Sequence, residues 1–330
     1  MDSVSVIGGG AWGTALAQML AATGRLTKIW AREAEVVAAI NGSHSNDIYL
    51  PNVLLNRNLK ATSDLAEAAT TDVILLVTPA QFLRPVAKEL AEHLKPGLPV
   101  VICAKGIEKG SHALMSEVLA ETLPDNPVAV LSGPTFAIEV AKGMPTAVTL
   151  ACADENLGAR LVETIGQPHF RPYWTDDVIG TQIGGAVKNV LAIACGIVKG
   201  RRMGDNARAA LMTRGLAEVM RYGALRGGRP ETLMGLSGLG DLALTCNSLL
   251  SRNMSLGAEL GKGRTMAEVV GERQSVAEGS LTAGAIVDHI GPLDIEMPIC
   301  SAVDAILNQY ANLDQTIQTL LQRPYRAERG

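Results

Sequence analysis

Lys188 is the only charged side chain between Asp177 and Lys199. On a helix its neighbours three and four positions away are Gly184, Gly185, Leu191 and Ala192, and none of these can pair with an ammonium. Burying such an amine is costly and lowers its pKa. A lysine tuned that way suits proton transfer near neutral pH. The competing reading lets the side chain snorkel along the helix to solvent. Both readings stand on the residues around Lys188 alone.

A second constellation opens the chain. Gly8-Gly9-Gly10-Ala11-Trp12-Gly13 fits G-x-G-x-x-G, follows a strand-like run directly and leads into a stretch with Leu16, Met19 and Leu20 at helical spacing. In that context Gly8 permits the tight turn, Gly10 lets the backbone approach a pyrophosphate, and Gly13 allows close helix–strand packing. The helix start adds free N–H groups and a positive dipole end. A dinucleotide is the expected ligand. Which one turns on Arg32 and Glu33, after the second strand-like run. A cation there can pair with a 2′-phosphate, which favours NADP, whereas Glu33 could still accept from a ribose hydroxyl, as in NAD sites. Arg32 read only as a solvated helix-start residue is the bland alternative.

Three further segments carry suitable groups. Lys105 lies in residues 104–108, and Gly133 and Thr135 lie in residues 132–137. Both loops follow strand-like runs, where open α/β sheets bind ligands, although each also reads as a turn with a helix cap. Farther on, Asp241 precedes Ser251-Arg252-Asn253. Ser251 is a credible N-cap, which puts Arg252 in a first helical turn, where it opposes the dipole. That placement suits a bound anion, a phosphate or a carboxylate; otherwise Arg252 is a solvated arginine.

These residues need a scaffold. Apolar runs at residues 3–7, 27–30, 73–77, 100–103, 128–131, 146–150 and 169–174 read as strands, the fourth preceding Lys105 and the fifth preceding Gly133. Many are continuously apolar, as in strands covered on both faces, and helical stretches separate them. The fold expected is an α/β Rossmann-type doubly wound sheet over residues 1–178. An all-α domain follows over residues 179–330, with helices near 179–198, 206–226, 252–260, 282–289 and 301–311. With 330 residues, 47% hydrophobic and 19% charged, the chain can build such cores. A net charge of −4 and 3% aromatics argue against nucleic-acid binding. No apolar run reaches the roughly 18 residues of a membrane span, and the N-terminal stretch has an acid, Asp2, where a secretory signal carries bases. Five cysteines, widely spaced and without a C-x-x-C pair, suggest neither metal nor disulfides but buried thiols in a reducing, cytoplasmic setting.

Taken together, Gly8–Gly13 and the segments 104–108, 132–137, 184–189, 238–241, 251–253 and 276–279 resemble the bacterial NAD(P)-dependent glycerol-3-phosphate dehydrogenase family. They occur in family order over nearly the whole chain; G-G-A-V-K-N and S-G-P-T-F-A are its most specific segments. The resemblance implies NADPH or NADH, no metal, a small phosphorylated substrate, a homodimer and a cytoplasmic place in glycerophospholipid synthesis. Lys188 would be the proton donor and acceptor, with Lys105 and Asp241 beside it. Gly133, Thr135, Ser251, Arg252 and Asn253 would complete the substrate site. Gly8, Gly10, Ala11, Trp12, Gly13, Arg32, Lys105, Ala137, Arg252, Val276 and Glu278 would meet the cofactor. Ala11 and Trp12 depart from the family's usual small polar residue followed by Tyr or Phe. Two alternatives remain at this point: another hydroxy-acid dehydrogenase of the same two-domain type, acting on a carboxylate, and a non-catalytic dinucleotide sensor.

Overall fold

The computed structural model describes residues 1–271, 278–293, 295–325 and 327–328. Val276 lies outside the described residues. The first half is one eight-stranded sheet: β1 (Ser3–Ile7), β2 (Leu26–Trp30), β3 (Lys60–Thr62), β4 (Val73–Leu76), β5 (Val100–Ile102), β6 (Val128–Ser132), β7 (Thr146–Cys152) and β8 (Phe170–Thr175), in spatial order β3-β2-β1-β4-β5-β6-β7-β8. Neighbours pair in parallel except β6 with β7. The order reverses between β1 and β4, so a crevice opens beyond their carboxyl ends. β4 and β5 are wholly buried, because helices cover both faces.

The sheet has one strand more than the sequence patterns suggested. β3 reads Lys-Ala-Thr, too short and too polar for a hydrophobic pattern to reveal it. It forms because β2 offers it an edge, with Trp30 opposite Thr62. Its own outer edge is closed by Asn41, which donates to the Ala61 carbonyl (2.8 Å) and accepts from the Ala61 amide (2.9 Å). A side chain thereby blocks further strand addition. The Lys105 loop accordingly follows the fifth strand rather than the fourth, and the Gly133 loop the sixth.

The second half is helical, built around Val178–Gly200. Asp177 starts this helix by accepting from the Gly180 amide at 2.8 Å. The sequence reading placed a helix at 179–198 but found no apolar run of membrane-spanning length; at 23 residues this helix is long and apolar enough to cross a bilayer. Here it is the core of the helical half, with 89% of its most apolar window buried inside the protein. Glycines explain how other helices approach so closely. A Cβ on Gly196 would lie 2.1 Å from the Met254 carbonyl oxygen, and one on Gly257 would lie 2.0 Å from that of Ile193. The helix Arg252–Gly261 thus rests backbone to backbone on Val178–Gly200, and residues 252–253 are delivered beside residues 188–189.

Polar contacts tie the central helix back to the sheet half. Gln182 accepts from the Ser116 amide (2.9 Å) and donates to its hydroxyl (2.8 Å). Arg226, on the helix Asp205–Arg226, grips Glu117 with one nitrogen on both carboxylate oxygens, at 2.8 and 2.7 Å. These contacts fix which face of the central helix meets the carboxyl ends of the strands.

Candidate active site

The glycine turn has the geometry its spacing implied. Gly8 adopts φ +134°, and a Cβ there would sit 3.0 Å from the Val77 backbone, just past β4 at the switch point. A Cβ on Gly13 would meet the Gly8 carbonyl oxygen at 1.9 Å, so the helix Ala11–Ala21 can start only with glycine at that place. Nothing lies within 4 Å of a Cβ position on Gly10, which leaves that stretch of backbone open to approach. The helix start has no side-chain cap, so its first N–H groups are free for an anion. The Trp12 indole N–H and the Thr78 hydroxyl are buried nearby without a hydrogen-bond partner among the described residues. An uncapped helix start, an open glycine and orphaned polar atoms are what a dinucleotide site requires, and the residues present fit one. Arg32 stands at the end of β2 with its side chain 77% exposed, 3.5 Å from Glu33.

In the helical half, Lys188 is buried rather than snorkelling. Its partners come from far along the chain: the ammonium donates to Asp241 Oδ1 at 2.6 Å and to Thr245 Oγ1 at 2.8 Å. Lys105 donates to the other oxygen of the same carboxylate, Oδ2, at 2.6 Å, and to the Gly133 carbonyl at 3.0 Å. Asp241, fully buried, therefore clamps two ammonium groups. Each ammonium has three N–H groups. Among the described residues each spends two, which leaves one N–H per lysine for a ligand. Burial pulls the Lys188 ammonium down to about 8; Asp241 opposes that shift and the neighbouring Lys105 adds to it. A π-helical turn, Leu236–Gly240, precedes Asp241 and packs against Gly184, where a Cβ would lie 2.5 Å from the Ser237 carbonyl oxygen. Such turns are often found at functional sites.

The helix start at residues 251–253 forms as its residue types suggested. Ser251 caps the helix Arg252–Gly261 by accepting from the Met254 amide at 3.2 Å. Arg252 is the first residue of that helix and is exposed, while Asn253 is buried. Glu278 is near enough to Arg252, Lys105 and Lys188 for all three to favour its charged form, although burial dominates and raises its pKa. Thr135 donates to the Gly133 carbonyl at 3.3 Å. Ala137 opens the short helix Ala137–Ala141, whose cap, Phe136, makes no side-chain cap bond.

Sequence reading missed two residues. Thr245 lies one helical turn after Asp241 and shares its partner, and i, i+4 spacing from a suspected acid is the signal that could have found it. Asn189 follows Lys188 and accepts from Asn253 Nδ2 at 3.0 Å. All five cysteines are free and buried. A void of about 1150 Å³ lies elsewhere in the helical half among residues such as Ile197, Leu211, Val303 and Ile317. It contains none of the residues named above, and its walls are mostly apolar.

Comparison with known proteins places the whole chain in a family. Residues 3–158 match the family described as NAD-dependent glycerol-3-phosphate dehydrogenase N-terminus, and residues 177–318 match its C-terminus. The chain is 56% identical to an NAD(P)+ glycerol-3-phosphate dehydrogenase of Parvibaculum lavamentivorans, over 98% of each protein. It is 58% identical to the Rhodospirillum rubrum protein of that name, over 100% of this chain and 95% of the other. Among solved structures it is similar to a glycerol-3-phosphate dehydrogenase from Coxiella burnetii, with a TM-score of 0.94 and 39% identity over 97% of this chain and 99% of that one. With both halves matched and such relatives along its full length, the chain belongs to the NAD-dependent glycerol-3-phosphate dehydrogenase family.

Proposed function

We propose that the protein is an NAD(P)-dependent oxidoreductase that interconverts dihydroxyacetone phosphate and sn-glycerol 3-phosphate, a glycerophospholipid precursor. The observation that carries this is the clamp of two ammonium groups on one buried carboxylate, its Lys105 arm following the carboxyl end of a strand as the uncapped glycine-turn helix does in the parallel part of the same sheet. Gly8, Gly10, Ala11, Trp12 and Gly13 would hold the dinucleotide, with Arg32 at its ribose, and bound NADPH or NADH supplies hydride. As the ketone gains hydride, negative charge develops on its oxygen. The uncommitted N–H of Lys188 stabilises that charge and delivers the proton. The uncommitted N–H of Lys105 adds a second positive partner. Asp241 and Thr245 hold the Lys188 head group in place, so no reorganisation is needed when charge appears. Gly133 and Thr135 line the floor beside Lys105. Ser251, Arg252, Asn253 and the helix start hold the substrate phosphate, and this remote anchor aligns the ketone. Ala137 and Glu278 complete the cofactor side.

Arg32 favours NADPH over NADH in this reading. The resemblance also leads us to propose a cytoplasmic homodimer with no nucleic-acid, membrane or metal partner, and light scattering on purified protein checks the oligomeric state. One assay tests the reaction. Purified protein should oxidise NADPH with dihydroxyacetone phosphate, and Lys188→Ala should lower kcat by about 10² or more. Turnover of a carboxylate ketone in place of the phosphoester, or cofactor binding with no turnover of either, would overturn the proposal.

A further inference from the structure

The segment containing Lys188 also presents Asn189, which the reaction as derived leaves without a task. It is buried, and its side-chain oxygen accepts from Asn253 Nδ2 at 3.0 Å. The oxygen of Asn253 in turn accepts from the Gly279 amide at 3.1 Å. Gly279 fits only without a side chain, since a Cβ there would lie 2.6 Å from the Asn189 carbonyl oxygen. Next to it, Glu278 reaches into the sheet half and accepts from the Ala80 amide at 3.2 Å, just past β4. An unbroken line of contacts therefore runs from the catalytic helix through Asn253 to the cofactor side of the crevice.

Asn253 joins the two ends of this line of contacts. It lies on the helix start assigned to the substrate phosphate, and its amide oxygen orders the start of the helix Glu278–Ile290. A phosphate that draws on the remaining N–H of Asn253 fixes the orientation of the whole amide. The amide cannot turn without breaking its bonds to Asn189 and Gly279. With Glu278 on the cofactor and Asn253 on the phosphate, as the functional reading has them, substrate and cofactor bias one shared side chain, and coupling of that kind is reciprocal.

Resting on the functional reading above, we propose that Asn189 is a positioning residue that, by anchoring Asn253, makes cofactor and phosphate-bearing substrate each tighten the binding of the other. Titration of the wild-type protein with NADPH, with and without saturating sn-glycerol 3-phosphate, should show a Kd lowered by about 5-fold or more. Asn189→Ala should keep the NADPH Kd measured alone within about twofold while the ratio falls towards one. Asn189→Asp retains the oxygen that accepts from Asn253 and should retain the ratio. A second measurement needs no variant: sn-glycerol 3-phosphate alone should slow hydrogen exchange at the start of the helix Glu278–Ile290. A wild-type ratio of one, an unchanged ratio in Asn189→Ala, or unaltered exchange overturns the proposal and leaves the functional reading intact. Failure of the wild type to bind NADPH at all, or sn-glycerol 3-phosphate at all, overturns both.

Discussion

Two residues can be tested singly. Lys188 is held near 8 by burial, so at neutral pH it is mostly an ammonium, the form that the proposed mechanism uses as its acid. Ketone reduction needs that proton, whereas alcohol oxidation needs the neutral amine. The kcat/KM for reduction should therefore fall as pH rises through about 8, and that for oxidation should rise over the same interval. Because Asp241 favours the charged lysine, Asp241→Asn should move both midpoints downwards; midpoints that stay in place would mean another group is titrating. Arg32 is the second. Its pairing with Glu33 is long and solvent-exposed, and such pairs contribute little, so the guanidinium is available to a 2′-phosphate. Hydrogen bonds to charged groups contribute about 1.5–3 kcal/mol. Arg32→Asp should accordingly shift the NADPH-to-NADH preference by about tenfold or more, read as a ratio of kcat/KM values. An unchanged ratio would take Arg32 out of cofactor selection.

At the level of elements, close packing of glycine against backbone sets how near the helix Arg252–Gly261 lies to the helix that carries Lys188. Gly257→Ala gains about 1 kcal/mol of helix propensity, but its new methyl would sit 2.0 Å from the Ile193 carbonyl oxygen. Overpacking costs about 1–3 kcal/mol. Backbone on both sides has little room to yield, so the upper part of that range applies and the substitution should destabilise by about 1–2 kcal/mol. It should also raise KM for the phosphate-bearing substrate, because Arg252 and Asn253 lie at the start of the displaced helix. Urea unfolding and steady-state kinetics on one preparation check both effects, and a stabilised variant with unchanged KM would refute the packing argument. These elements also show what the sequence could reveal. The glycine turn was legible because its chemistry is local, with six consecutive residues holding the turn, the packing and the anion site. Lys188 stood out because an apolar helix contained a single charge. β3 did not, since three residues with a single apolar one among them acquire a strand only from a neighbouring edge. Nor did Thr245: a threonine on a short helix becomes a lysine partner only when that helix docks on another 57 positions away. The bond between Glu278 and Ala80 spans 198 positions, and no spacing rule reaches that far.

The molecule works only if its two halves stay in register, and one polar cluster joins them at a point where pH can act. His289, in the helix Glu278–Ile290, accepts or donates at 2.9 Å with the Tyr222 hydroxyl and stacks on His112 with ring centres 5.6 Å apart. Arg226 donates to the His112 carbonyl at 3.1 Å and holds Glu117. Burial, then Arg226 and His112, depress the His289 pKa below 6.5, with only Glu117 opposing. A histidine kept neutral in this way contributes stability above the unfolded pKa. That contribution is lost as pH falls from about 6.5 through the lower folded value, because the unfolded chain takes the proton more readily. Buried Glu218 and Glu278 act in the opposite sense, since burial raises their pKa values, so the total pH profile mixes both. A difference measurement separates them. His289→Asn keeps a nitrogen or oxygen near the Tyr222 hydroxyl but does not titrate, and it leaves both glutamates in place. Urea midpoints of the two proteins should differ most near pH 7.5 and converge towards pH 5.5, where the wild type has lost the contribution of its neutral imidazole. A gap that is constant across that interval would show that His289 joins the halves by packing alone and that its protonation does not govern their register.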